Sequence, residues 1–225
     1  MSKTKTILII PARGGSKRLA NKNIELLGDY PLLVHSILYA KQNGSLIDAI
    51  YVTTDDAAIK TIALQNGVQV IERPEHLSGD TATTVSALKH VLETTGQGFE
   101  TVVLLQPTNP LRPVSLLSDA FDTFVAHGCD SLMTVSRNHQ KLGKIIDGHF
   151  VPFNYVMGQR SQDLEPLYAE NGLLYITKSS LIMNDCILGD NNFPYIVDHP
   201  YTSVDIDTEE DLKYAEFILK QYPNA

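Results

Sequence analysis

Cysteine is scarce in this chain. Only Cys129 and Cys186 occur in 225 residues, far apart and outside any C-x-x-C context. That excludes a disulfide framework and predicts two reduced thiols in a cytoplasmic protein. Basic charge is also short: 18 Lys and Arg stand against 26 Asp and Glu, a formal net charge of -8. Nucleic-acid binders need a broad basic face, so nucleic acid is excluded as the main partner. No apolar run is long enough to cross a bilayer, so no membrane partner is expected. The short apolar stretch near the N-terminus stops at Pro11 without the cleavage signature of a secretory leader. The phosphate loop G-x-x-x-x-G-K-S/T and the dinucleotide pattern G-x-G-x-x-G are both missing. So are a G-x-S-x-G nucleophile, histidines at metal-ligand spacing and any internal repeat.

What remains is an ordinary globular composition, 43% hydrophobic and 20% charged, with the length of one domain over residues 1–225. Strand and helix patterns alternate. KTILIIPA, DAIYVTTD, VQVIERP, TVVLLQPTNP and SLMTVSR read as buried strands. Between them PLLVHSILYAKQ, DAAIKTIALQNG, TATTVSALKHVLETTG and SLLSDAFDTFVAHG read as helices. Pro31 is expected at a first helical position, and Gly67 and Gly96 past helix ends. This alternation predicts a mainly parallel, doubly wound α/β sheet covered on both faces.

The rhythm breaks over residues 138–170, which lack helical periodicity and read as a projecting arm. Within it KIIDGHFVPF predicts a hairpin turning at Asp147-Gly148. NGLLYIT returns as a strand. YTSVDIDTEEDLKYAEFILKQY reads as a strand running into an amphipathic helix.

Against the acidic background, IIPARGGSKRLANKN (Ile9 to Asn23) gathers Arg13, Lys17, Arg18 and Lys22 directly after the first strand. Ligands of open α/β sheets bind at the carboxyl ends of strands. Glycines let backbone N–H groups face an anion, and Arg offers a planar fork for phosphate oxygens. A di- or triphosphate is the simplest ligand; a polar turn with solvated cations is the bland alternative. Asp205-Ile206-Asp207 is the other sharp feature. Alternation puts both carboxylates on one face, where they repel unless a cation lies between them, and Mg²⁺ suits such oxygens. Thr208 and Asp211 are explained by a helix cap; Asp205 is not.

Ala12-Arg13-Gly14-Gly15-Ser16-Lys17 followed by Lys22-Asn23 resembles the signature loop of the sugar-acid cytidylyltransferases, most of all the acylneuraminate branch. ERPEHLSGDTATT, LLQPTNPLR, LYAENGLLYI and SVDIDTEEDL follow in the expected order, so the resemblance spans nearly the whole chain. It implies a Rossmann-like fold of the nucleotide-diphospho-sugar transferase type. It also implies transfer of CMP from CTP to the anomeric hydroxyl of a nonulosonic acid, with Mg²⁺ (Mn²⁺ as a substitute) and a homodimer joined through the arm. Arg13, Lys22, Asp205 and Asp207 would be catalytic, and the two aspartates would hold the metal. Ala12, Gly14, Gly15, Ser16, Lys17, Asn23, Arg73, Asp80 and Thr84 would join Arg13 and Lys22 on the nucleotide. Gln106, Arg160, Gln162, Asn171 and Tyr175 would read the sugar, with Arg160 on its carboxylate, in its own or the neighbouring protomer's site. Plain helix capping also accounts for Asp80 and Thr81, and Tyr175 reads equally as a core aromatic. Lys141 and Lys144 both lie where the family has an arm lysine, and Arg112 reads as structural. Sialate ranks first, with legionaminate or pseudaminate as the alternative. A GT-A-type glycosyltransferase and a nucleotide-sensing module are the distant rivals.

Overall fold

A computed structural model describes residues 5–223. The first strand, β1 (Thr6–Pro11), is almost wholly buried and lies mid-sheet between β4 (Ala49–Thr54) and β6 (Thr101–Leu104), parallel to both. Beyond β4 lies β5 (Gln69–Glu72), also parallel. On the other side of β6 the order continues through β10 (Tyr168–Lys178), β7 (Ser131–Arg137) and β11 (Asn192–Ile196). β10 is antiparallel to both neighbours, whereas β11 is parallel to β7. The sheet is therefore mainly parallel, as expected, with one reversed strand whose direction periodicity could not reveal.

Alternation along β1 sends Leu8 and Ile10 to one face and Ile7 and Ile9 to the other. The first face packs on α1 (Leu32–Gln42), α2 (Ala57–Gln65) and α4 (Leu116–His127). The second packs on α3 (Thr84–Thr95) and α5 (Ser179–Met183). A third cluster, including Leu32, Tyr201, Ile206 and Ile218, seats α6 (Glu209–Gln221). Two short ladders stand apart: β2 (Leu26–Leu27) with β3 (Tyr30–Pro31), and β8 (Gly143–Ile146) with β9 (His149–Pro152).

Local chemistry explains the boundaries. Asp56 caps α2 by accepting from the Ala58 and Ile59 N–H groups, and Gly67 follows its end at φ 66°. Gly96 ends α3 in the left-handed region. Asp147 and Gly148 both adopt positive φ, which the tight β8–β9 hairpin requires.

Several expectations need correction. Pro31 is the cap before α1, not its first residue, and Thr83 rather than Asp80 or Thr81 caps α3. The segment before α6 is a 3-10 turn (Pro200–Ser203) and an extended strap, not a strand. Its burial still alternates, because Val204 and Ile206 face the α6 cluster. In place of a ladder it is held by Ile206 N–H donating to Thr108 O at 2.8 Å.

Candidate active site

β1 marks the place where the chain switches direction of growth across the sheet, since β4 lies on one side and β6 on the other. Two cavities open at the carboxyl ends of these strands, where α/β sheets bind ligands. The first, of about 490 Å³, has the loop cations Arg13, Lys17, Arg18 and Lys22 on one wall and Arg73, Thr84 and Gln106 on the other. The second, of about 580 Å³, is lined by amides, hydroxyls and three carboxylates: Glu170, Asp205 and Asp207. Gln106, Thr108 and Asp207 line both, so the compartments adjoin.

The cationic wall is tied down by its own acids. Arg13 donates to Gly79 O at 2.9 Å and lies 3.5 Å from Asp80, which also pairs with Lys17. The Lys17 contact holds the Asp80 carboxyl below its ordinary range. Arg18 and Lys22 converge on Asp207 at 2.5 and 2.7 Å. Asn23 is buried and donates to Arg13 O at 2.8 Å, fixing the start of the loop. Ala12 is buried beneath it, with its N–H on Thr53 O.

The glycines act differently from expectation. Gly14 N–H donates to Asp55 Oδ1 at 3.0 Å, so it does not face the cavity as a phosphate donor. Glycine is needed there because a Cβ would sit 2.7 Å from Asp56 Oδ2. Gly15 has open space around it and does not line the cavity, whereas Ser16 does. Arg73 is buried, and its guanidinium donates to Thr53 O at 2.7 Å; desolvation, then the Arg13 charge, lowers its pKa.

After β6 the chain reads Gln106-Pro107-Thr108-Asn109 and is held from beneath by Arg112. This fully buried guanidinium donates to Gln106 O at 2.8 Å, Leu173 O at 2.7 Å and Ser36 Oγ at 3.1 Å. Burial lowers its pKa to about 10, which leaves it charged at neutral pH. Arg112 is structural, as its position suggested. Asn109 is the second organiser: its Nδ2 donates to Asn171 O at 3.2 Å and Val204 O at 3.0 Å. One side chain thus joins the β6 turn, β10 and the Asp205 strap.

β10 breaks register between Glu170 and Tyr175. Gly172 lies in the break at φ 72°, where a Cβ would meet Asn109 Oδ1 at 2.6 Å. Asn171 accepts from Thr134 Oγ1 through its Oδ1, while its buried Nδ2, in a residue lining the second cavity, has no partner among the described residues. Tyr175 donates to Glu170 and also meets the Gln106 side chain; burial first, then Glu170, raises the phenol pKa. Desolvation, followed by the Asp207 charge, raises the pKa of Asp205.

Arg160 and Gln162 are not brought to this place. Arg160 is exposed and paired with Asp163 at 2.7 Å, and Gln162 lies exposed on a 3-10 turn. Lys141 bonds Gln159 O, and Lys144 lies over Phe153. None of the four lines either cavity. Conversely, Thr108, Asn109, Glu170, Thr202 and Ser203 line the second cavity and were not singled out from sequence. Thr108 and Asn109 lay inside the noted LLQPTNPLR motif. Glu170 lies inside the LYAENGLLYI motif, but at the end of the expected arm, and strand alternation would turn it away from Tyr175.

Comparison with known proteins places the chain in a family. A family model described as cytidylyltransferase matches residues 7–222. The chain belongs to the cytidylyltransferase family. It is 34% identical over 227 residues to the CMP-N,N'-diacetyllegionaminic acid synthase of Legionella pneumophila, covering 95% of this chain and 96% of that one. It is 33% identical over 214 residues to the N-acylneuraminate cytidylyltransferase of Streptococcus agalactiae, covering 92% of this chain and 51% of that one. This cytidylyltransferase therefore spans about half the length of that streptococcal relative. Its fold is that of a CMP:2-keto-3-deoxy-manno-octonic acid synthetase solved with CTP, at a TM-score of 0.73 and 15% identity over 97% of this chain and 99% of that one.

Proposed function

We propose that this cytidylyltransferase moves CMP from CTP onto the anomeric hydroxyl of a nonulosonic acid, N-acetylneuraminate first, and releases diphosphate. The observation that carries the reading is the pair of adjoining cavities, one walled by cations and one by hydrogen-bonding groups, meeting at Gln106, Thr108 and Asp207. A triphosphate suits the first: Arg13, Lys17, Arg18 and Lys22 balance its charge, and Arg73 and Thr84 close the opposite wall. CTP takes over the loop cations from Asp80 and Asp207. A polyhydroxylated acid suits the second, where Gln106, Tyr175 and the unpartnered Asn171 Nδ2 offer contacts.

The sugar hydroxyl attacks the α-phosphorus, the bond to the β-phosphate oxygen breaks, and diphosphate leaves in line. Such transfers depend on positioning and charge neutralisation. Lys22 and Arg13 stabilise the charge that develops on the departing diphosphate. Asp205 lines only the sugar cavity, beside the hydroxyl whose proton must leave. Asp205 and Asp207 form an oxygen-only donor pair of like charge, and Mg²⁺ binds through one or two carboxylates with waters and substrate phosphates completing its shell. The residues present fit that ion, or Mn²⁺ in its place. When bound, it would neutralise phosphate charge at the junction.

The Legionella relative supports a legionaminate-type acid, with pseudaminate as a further candidate. We also propose a homodimer formed through the arm. Its two four-residue strands are too short to be stable alone, and Ile145, Phe150, Phe153, Val156 and Met157 are all more than half exposed. Arg160 would then act in the partner's site.

The test is diphosphate release from CTP and Mg²⁺ with N-acetylneuraminate, N,N'-diacetyllegionaminate, pseudaminate and 3-deoxy-manno-octulosonate, with Asp207→Ala as the blank. Turnover with one acid, absent in the blank, establishes reaction and substrate together. CTP binding without diphosphate release from any acid would favour a nucleotide-sensing role instead.

A further inference from the structure

The strap that carries Asp205 and Asp207 belongs to no strand ladder. Val204 and Ile206 seat it on the α6 cluster, but apolar packing is non-directional and does not set where along the cavity mouth the strap lies. Two directional contacts to the turn after β6 do so. Ile206 N–H donates to Thr108 O at 2.8 Å, and Val204 O accepts from Asn109 Nδ2 at 3.0 Å. These groups belong to the two planar peptide units that bound the Asp205 Cα. The placement of the Asp205 carboxylate therefore depends on two consecutive residues of one turn.

The Asn109 contact needs an amide. Its Nδ2 has two hydrogens, and two carbonyl oxygens face it: Val204 O and, at 3.2 Å, Asn171 O on β10. A hydroxyl has one proton to give and a carboxylate none. Its Oδ1 accepts from Thr108 Oγ1 at 3.1 Å, so both ends of the amide are engaged within the protein. Asn109 is only 2% exposed, and Gly172 packs so close to it that a Cβ would lie 2.6 Å from Oδ1. The amide thereby refers the strap to β10, a strand inside the central sheet.

We propose that Asn109 is a positioning residue for the Asp205–Asp207 carboxylate pair, holding it where a divalent ion can be shared with the substrate phosphates. This rests on the Mg²⁺ reading of that pair given above. Asn109 acts through the strap and not on the ion itself. Mg²⁺ demands near-ideal octahedral geometry, so a displaced carboxylate loses affinity for it. Groups that orient metal ligands typically cost about 10–100-fold in affinity or activity when removed.

The test is titration of Mn²⁺ into the CTP-saturated protein without sugar acid, followed by electron paramagnetic resonance. A titration of CTP alone gives the nucleotide's own share. Asn109→Ala removes both donors; Asn109→Ser keeps a single hydroxyl and serves where the alanine variant does not fold. Tyr39→Phe is the control. It also loses two interior contacts, to Pro113 O and from Leu117 N–H, with neither partner in the turn or the strap. The expected result is a Mn²⁺ Kd raised about tenfold or more in the Asn109 variants, with metal-free CTP affinity within about twofold of wild type. The Mg²⁺ concentration giving half-maximal diphosphate release rises in parallel. In Tyr39→Phe the Tm falls while the Mn²⁺ Kd stays within about twofold. An unchanged Mn²⁺ Kd in the Asn109 variants, an equal loss of metal-free CTP affinity, or an equal rise in Tyr39→Phe would overturn the assignment while leaving the metal reading intact. A wild-type protein that takes up no Mn²⁺ beyond the share of CTP would overturn the metal reading and this inference with it.

Discussion

The Lys22 ammonium lies 2.7 Å from Asp207 Oδ1, although the two residues are 185 positions apart. Lys22 comes from the cationic loop after β1 and Asp207 from the strap before α6. Their contact closes the site across the carboxyl edge of the sheet. It also keeps the strongest local charges compensated before any ligand arrives.

Removing either side of that pair should disable catalysis without unfolding the chain. Lys22→Ala is expected to lower kcat/KM by about a hundredfold or more, because a group aimed at developing phosphate charge is lost. Asp207→Ala should lose comparable activity and weaken the response to added Mg²⁺. Initial rates of diphosphate release across a Mg²⁺ series check both, with thermal melts showing that each variant folds.

Arg112 should act on stability. Arg112→Ala strands Gln106 O, Leu173 O and Ser36 Oγ in the interior. The expected cost is about 3 kcal/mol, or roughly 6–12 °C in Tm for a chain of this size. Arg112→Lys should recover little, because one ammonium cannot span three acceptors fixed in a planar fork. Calorimetry or chemical denaturation of the two variants decides it.

His35 should make the protein acid-sensitive. Burial lowers its pKa from the ordinary 6.5, with the nearby Arg112 charge adding to that, while contacts to Leu27 O and the Tyr30 backbone oppose it. A histidine kept neutral in the folded state takes up its proton first in the unfolded chain. Its stabilising contribution is therefore complete above 6.5 and falls as pH drops below that value toward the lowered folded pKa. His199, lowered mainly by burial, acts in the same direction. Tm should fall between pH 7.5 and 5.5, and His35→Gln should flatten the slope. An equally steep slope in the variant would remove His35 from the explanation.

The arm should govern assembly. Phe153→Asp with Val156→Asp places charge on its exposed apolar surface. Light scattering after gel filtration should then move from twice 24.9 kDa to 24.9 kDa. A wild-type protein already running at the single-chain mass would contradict the proposed dimer.

Much of this molecule could be read from local chemistry. Gly67, Gly96 and Asp147-Gly148 mark real helix ends and a real hairpin, because backbone conformation there depends on the residues themselves. The loop cations, Gln106, Asp205 and Asp207 stood out because charge or amide at a strand end needs a partner. Direction and register were not legible. β10 has the same apolar pattern whether it runs parallel or antiparallel. β11 contains Pro194 and alternates weakly, which edge strands tolerate and sequence patterns penalise. Val204 and Ile206 imitate a strand because a strap lying on α6 buries every second residue just as a sheet does. Glu170 was hidden because three extra residues in a strand change the face of everything before them.

The double contact made by Asn109 constrains how this protein could change its diet. The floor of the sugar cavity at Asn171 and the strap carrying Asp205 hang from one amide. Reshaping the backbone at the β10 break would drag the strap carboxylates Asp205 and Asp207 with it. A new sugar is therefore most readily accommodated by exchanging side chains on a fixed frame. Closely similar backbones can then carry different acids, and substrate preference can drift by single substitutions while the transfer chemistry stays where it is.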